Sequence, residues 1–177
     1  MASSRTWVPR SALLLVLAGC QASTDTVAWS YGDYDPDPNN LPKVLNINGD
    51  LSTTDPSMFH WQGTYYVFST GTTGFGVDLR TTKNLETEKF ERRDPIFPGN
   101  PSWIAGLLPE TTNLWSPCVL AWQGTIHMYY GASWFAAVNA CIGHATTTSM
   151  DKPFVDDGQP VSCSNIDSTD PFVAIDP

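Results

Sequence analysis

The sequence predicts an all-β protein assembled from repeated antiparallel units, and three observations carry that prediction. First, a pattern recurs at a spacing of 61 residues: Pro56 and Trp61 return as Pro117 and Trp122. Second, both copies run through Trp-Gln-Gly-Thr (residues 61–64 and 122–125) into strand-like stretches, Tyr65-Tyr66-Val67-Phe68 and Ile126-His127-Met128-Tyr129-Tyr130. Glycine gives the turn a permissive backbone, and aromatic and β-branched flanks suit a pleated, buried surface. Third, no stretch keeps the 3.6-residue apolar period of a helix. Repeats of about 40 to 60 residues, each holding several antiparallel strands, indicate the blades of a β-propeller.

Before the repeats lies a segment that does not belong to the fold. Arg5 and Arg10 precede a short apolar run, residues 12–19, and small residues follow at Ala18, Gly19 and Ala22. Residues 1–22 therefore read as an export signal; the run is far short of the roughly 20 residues a membrane span needs. Leu17-Ala18-Gly19-Cys20 also resembles a lipoprotein lipobox, which would leave Cys20 lipidated; a plain secretory cut just after it is the alternative. Residues 23–48, rich in Asp and Pro between 33 and 42, read as a linker.

The first unit spans 49–100. Its opening turn, Thr54-Asp55-Pro56-Ser57, leads into the first hairpin, then small residues Ser69-Thr70-Gly71, a further strand at Gly76-Val77-Asp78-Leu79 and a Thr-rich turn. A Pro/Gly loop with Trp103 at its centre (98–109) leads to the second unit, 112–160, opened by Trp115-Ser116-Pro117. There the small residues are Gly131-Ala132-Ser133 and the third strand begins at Cys141-Ile142-Gly143-His144. Asp170-Pro171-Phe172-Val173 starts a third unit, 164–177. Since a propeller needs at least about four blades to close, the chain is expected to be the N-terminal portion of a longer protein, inactive and poorly soluble alone.

Composition narrows the function. Hydrophobic residues make up 41% and charged residues 15% of the 177, too apolar for disorder and too interrupted for a membrane bundle. Without Arg5 and Arg10, seven basic residues face eighteen acidic ones, a net charge of −11. Such a chain repels phosphate backbones, which excludes nucleic acid and leaves neutral polysaccharide. Seven Trp, six Tyr and eight Phe fill cores or line carbohydrate clefts. Three cysteines follow the signal, and Cys118 with Cys141 is the expected disulfide because both fall in one unit; an odd count leaves one over. No Cys-x-x-Cys or His pair marks a zinc site.

The opening turns hold the chemistry. First strands of propeller blades line the central channel, so Asp55 and Asp170, at equivalent starts, are expected to converge. Paired carboxylates in an aromatic-walled cleft suit glycoside hydrolysis, one taking a proton from water while a protonated carboxyl donates to the leaving oxygen. Any single Asp-Pro is a common turn, as at Asp35, Asp37 and Asp94; position at a repeat start distinguishes Asp55 and Asp170.

Four motifs, in order from about Gly49 to Asp176, resemble the arabinanases of glycoside hydrolase family 43. They are Asp55-Pro56-Ser57-Met58 with Gly63-Thr64-Tyr65-Tyr66-Val67-Phe68; Leu114-Trp115-Ser116-Pro117; Tyr129-Tyr130-Gly131-Ala132-Ser133-Trp134-Phe135 with Asn139-Ala140-Cys141-Ile142-Gly143-His144; and Asp170-Pro171-Phe172-Val173. The resemblance implies a five-bladed propeller that hydrolyses α-1,5-linked arabinofuranose in plant cell-wall arabinan, endo-acting and with inversion. It implies an extracellular monomer with carboxyls roughly 6.5–9.5 Å apart. Asp55 is then the general base, and Asp170 the carboxylate that raises the acid's pKa through like-charge proximity. The acid itself is a Glu of a later blade, a role Glu110 does not match. Trp115, Ser133 and Phe135 are the candidate substrate-binding residues, the two rings being also capable of core packing. The family often holds an ion, here expected as calcium at the propeller axis. Departures from the family pattern are Thr54 in place of His, Cys118 in place of Asp, and Ala136 in place of Gly. An exo-acting arabinofuranosidase, a β-xylosidase and a non-catalytic carbohydrate-binding propeller are the rival readings.

Overall fold

The computed structural model describes residues 45–72, 76–133, 139–164 and 170–175. Predictions for residues 1–44, the export signal and most of the linker among them, lie outside the described residues. Strands dominate, in two sheets. The first holds β1 (Asn48–Gly49), β2 (Ser57–Trp61), β3 (Thr64–Thr70), β4 (Val77–Thr82) and β5 (Lys89–Arg93), in the order β1-β5-β4-β3-β2. From β2 to β5 it is an antiparallel meander, and β1 returns parallel to β5. After helix α1 (Ser102–Leu107) comes the second sheet: β6 (Leu114–Trp122), β7 (Thr125–Ala132), β8 (Ala140–Thr147), β9 (Val155–Asp156) and β10 (Ser162–Ser164). Its order is β10-β8-β7-β6, and β9 shares the outer edge of β8 with β10.

The repeated turns are the same turn twice. Gln62 and Gly63 have φ of 46° and 78°, and Gln123 and Gly124 have 49° and 78°. Two successive positive φ values define the two-residue hairpin whose twist matches that of its strands. The register confirms it, with Trp61 opposite Thr64 and Trp122 opposite Thr125.

One face of each sheet meets the other. Phe59, Phe68, Val77 and Leu79 of the first pack with Val119, Ile126, Met128 and Tyr130 of the second. Phe154, beyond β8, sets its ring edge-on to Phe68 at 6.2 Å. Backbone bonds join the sheets as well: Gly71 N–H donates to Leu114 O (2.9 Å), and Leu114 N–H to Gly76 O (3.2 Å).

Four expectations need correction. The 98–109 loop contains α1, which carries Trp103 and Ile104 into the core. Six residues are too few to show a period, and Pro101 ahead of them reads equally as a turn. Trp103 is thereby a packing residue. Cys141 is joined to Cys163 rather than to Cys118, and Cys118 is itself disulfide-bonded, so none of the three is the cysteine expected to be left over. Cys163 lies directly opposite Cys141 on neighbouring strands, with Cα atoms 4.0 Å apart. Cys118, on β6, is separated from β8 by β7, a gap of about 9.5 Å, beyond the reach of a disulfide. The second sheet runs to Ser164 rather than ending at residue 160, because β10 pairs with β8. Residues 170–175, expected to open a third unit as a strand, form none. A strand exists by pairing, and among the described residues nothing lies alongside them.

Among the described residues no helix is long and apolar enough to cross a membrane.

Candidate active site

The two sheets present equivalent corners at one end. Asp55 and Ser116 each stand immediately before a proline at the start of a unit, and both take the left-handed backbone, φ 51° and 44°. They are 61 residues apart, as are Gln62 and Gln123, so the repeat in sequence is a repeat in backbone conformation. Asp and Asn tolerate this region better than most L-residues; serine does so less readily. Such a residue persists when its surroundings over-determine it.

At Asp55 the surroundings are the end of β3. Thr70 N–H donates to Thr54 O (3.0 Å), and Thr70 Oγ1–H donates to Asp55 Oδ2 (2.9 Å). Thr70 is buried, whereas Asp55 is exposed. The carboxylate is thus anchored on one side and open to solvent on the other.

At Ser116 the ladder is interrupted. The register between β6 and β7 shifts between Trp115 and Cys118, a bulge that Pro117, lacking an N–H, accommodates. The freed Ser116 N–H donates to Thr70 Oγ1 at 3.0 Å. One threonine hydroxyl therefore joins both corners. Beside it, the half-buried Trp115 donates its Nε1–H to Ser133 O (3.1 Å), which bonds the start of β6 to the residue following β7.

The structure thus gathers Asp55, Trp115 and Ser133 at one end of the two sheets. Asp170 is exposed and makes no hydrogen bond to them among the described residues. Phe135 lies outside the described residues. Thr70 is the residue that sequence reasoning missed. It sits in the small-residue segment that follows each hairpin, but the second unit has Gly131 at that place, so the hydroxyl is a departure from the repeat.

Among the described residues no group of three or more His, Cys, Asp or Glu side chains is placed to hold a metal ion. They supply no ligand set for the expected calcium, and no step below uses it. His60, His127 and His144, given no catalytic role from sequence, make no hydrogen bond to Asp55, Trp115 or Ser133 among the described residues. His127 Nδ1 and His144 Nε2 are 3.0 Å apart, and His144 Nδ1 meets Asp157 Oδ2 at 2.7 Å.

Chemically, an exposed carboxylate fixed at one oxygen can take a proton from water. A protein of Aspergillus niger named "Probable arabinan endo-1,5-alpha-L-arabinosidase C" is 29% identical over 165 residues, 93% of this chain and 44% of its own length. The "Extracellular endo-alpha-(1->5)-L-arabinanase 1" of Bacillus subtilis is 28% identical over 127 residues, 69% of this chain and 39% of its own. The chain thus spans less than half the length of these curated relatives. Among solved structures, the GH43 endo-arabinanase from Bacillus licheniformis superposes with a TM-score of 0.63 at 27% identity, covering 68% of this chain and 41% of that one. An exo-1,5-alpha-L-arabinanase from a bovine ruminal metagenomic library gives 0.56 at 28%, covering 63% and 36%. Residues 47–177 match the profile of Glycosyl hydrolases family 43, and the chain belongs to that family.

Proposed function

We propose that the protein cleaves internal α-1,5 bonds between L-arabinofuranose units of arabinan with inversion, Asp55 being the base that activates water. The observation that carries this reading is the carboxylate itself, held by Thr70 at one oxygen and open to solvent at the edge of both sheets. A base so placed removes a proton as water attacks the anomeric carbon opposite the leaving group. The names of the curated relatives support arabinan as the substrate.

In this reading the two sheets are the first blades of a five-bladed propeller, and residues 164–177 lead towards the third. Asp170 tunes and orients a general acid that is a Glu of a later blade. Trp115, Ser133 and Phe135 line the sugar subsites. The protein works as an extracellular monomer, exported by residues 1–22, with Cys20 either lipidated or the last residue before the secretory cut.

The test is to follow the anomer of the first product from linear arabinan by proton NMR, for the wild type and Asp55→Asn. Inverted product is expected, with kcat lowered on the order of 10²–10⁴-fold in the variant. Retained configuration, or an active Asp55→Asn enzyme, overturns the reading. Likeness to an exo-arabinanase supports exo action as a second reading. Early oligosaccharides of mixed length indicate endo cleavage; a single small product from the outset indicates exo.

A further inference from the structure

We infer that Thr70 is a positioning residue that selects which oxygen of Asp55 acts as the base, and that it couples this choice to the seating of the second sheet. The inference rests on the reading of Asp55 as base.

Hydrogen-bond polarity fixes the arrangement. A threonine hydroxyl has one proton and two lone pairs, a backbone N–H can only donate, and an ionised carboxylate can only accept. Ser116 N–H therefore donates to Thr70 Oγ1, and the single hydroxyl proton goes to Asp55 Oδ2. The chain runs one way, from amide through hydroxyl to carboxylate, and each bond polarises the next. Oδ2 is thereby occupied. Oδ1 makes no hydrogen bond among the described residues and is the oxygen left to take the proton from water.

Two further constraints hold the hydroxyl in place. Thr70 is β-branched and buried at the end of β3, so its χ1 is restricted. Its own N–H is bonded to Thr54 O, which also sets the left-handed turn at Asp55. The Ser116 amide is available only because the β6–β7 ladder bulges there. Movement of the second sheet at that bulge therefore reaches the Asp55 carboxylate through one atom.

The experiment uses the intact protein with linear arabinan and four variants: Thr70→Val, which keeps the shape and removes the hydroxyl; Thr70→Ser, which keeps the hydroxyl; Asp55→Asn; and the double variant Thr70→Val/Asp55→Asn. Misplacing a reacting group by about 1 Å costs on the order of 100-fold. Thr70→Val is expected to lose about 10–100-fold in kcat with KM within about threefold, while Thr70→Ser stays within about threefold of wild type in both. In the Asp55→Asn background Thr70→Val should add nothing. Amide exchange provides a readout independent of turnover: Ser116 should lose protection in Thr70→Val and keep it in Thr70→Ser. If Thr70→Val folds poorly, Thr70→Ala removes the same hydroxyl without adding bulk and must behave alike. The inference is overturned by wild-type kcat in the folded hydroxyl-less variants, by a loss confined to KM, by a further loss in the double variant, or by unchanged Ser116 exchange. An Asp55→Asn enzyme that remains active instead sinks the base assignment.

Discussion

Arg80 gives the severest test of how the first sheet is held. It lies in the middle of β4 with 1% of its side chain exposed. Its Nε donates to Asp50 Oδ1 (3.0 Å), Nη1 to Ser69 Oγ (3.2 Å) and Nη2 to Ser52 O (2.5 Å). Asp78, equally buried and 3.9 Å from Nη1, is balanced chiefly by Arg92 at 2.7 Å. The guanidinium thus fastens the segment ahead of β2 onto the body of the sheet. Three hydrogen bonds from a charged donor, at about 1.5–3 kcal/mol each, set an upper bound that non-additivity and rehydration of Asp50 reduce. Because Asp50 is a third exposed and Asp78 keeps Arg92, the cost lies below the roughly 3–5 kcal/mol of a fully buried pair, and we expect Arg80→Met to cost about 2–3 kcal/mol. That is a large share of the roughly 5–15 kcal/mol that stabilises a domain. Urea unfolding followed by tryptophan fluorescence measures it, with amide exchange at residues 50–52 reporting release of the segment. Arg80 also holds the Asp50 carboxyl below the usual carboxylate range, its hydrogen bond being the main cause. Asp50 therefore contributes stability above pH about 3.8 and loses it as pH falls through its folded value, a dependence that Arg80→Met should abolish. A variant within about 1 kcal/mol of wild type would refute the reasoning, since it would mean the buried network can be replaced by an apolar chain at little cost.

The remaining predictions concern the second sheet. An added Cβ at Gly143 would lie 2.5 Å from Tyr130 Cε2 and Oη, and that ring is buried with its hydroxyl donated to Asp156. Gly143→Ala should therefore cost about 1–3 kcal/mol in thermal unfolding, and a neutral result would show that Tyr130 can move. Reducing the Cys141–Cys163 disulfide, which links residues 22 apart in sequence, should cost about 3 kcal/mol. Equal urea midpoints for the wild type and Cys141→Ser/Cys163→Ser, which removes this bond alone, would contradict this. His127 is held below the ordinary imidazole value, first by burial and then by His144, with Asp157 opposing. The unfolded chain thus takes up a proton before the folded one does. His127 has no effect well above pH about 6.5 and destabilises the fold as pH falls below it. His127→Gln should flatten stability between about pH 7 and pH 5, and an unchanged slope would point to other groups.

How far the structure was legible follows from which contacts the repeat contains. The 61-residue period encodes what each unit does within itself. Trp-Gln-Gly-Thr predicts the hairpins, and the structure gives both the same pair of positive φ values. The turns before Pro56 and Pro117 predict equivalent corners, and both appear with left-handed backbone. Features with no period were hidden. Helix α1 is six residues long, and β1 is two residues joined to β5 across forty intervening positions. The disulfide was missed because membership of one unit does not reveal which strands are neighbours: Cys118 is two strands from Cys141, while Cys163 lies past the two-residue strand β9. Arg80 was unmarked because a charge inside a strand ordinarily predicts an exposed face, and here the segment at residues 50–52 covers it.

The candidate site shows why repetition alone cannot describe a cleft. Two equivalent corners would be interchangeable if the units were identical, and interchangeable corners do not divide labour. The first carries a carboxylate, the second a serine whose own amide is freed by a bulge, and the link between them is a threonine where the other unit has Gly131. The period explains why Asp55 and Ser116 occupy matching positions. The departures from it (aspartate against serine, threonine against glycine) explain why only Asp55 is anchored through a hydroxyl to the neighbouring sheet. In a repeat fold, chemistry is therefore to be sought where matching positions carry different polar atoms and one unit hydrogen-bonds to the next.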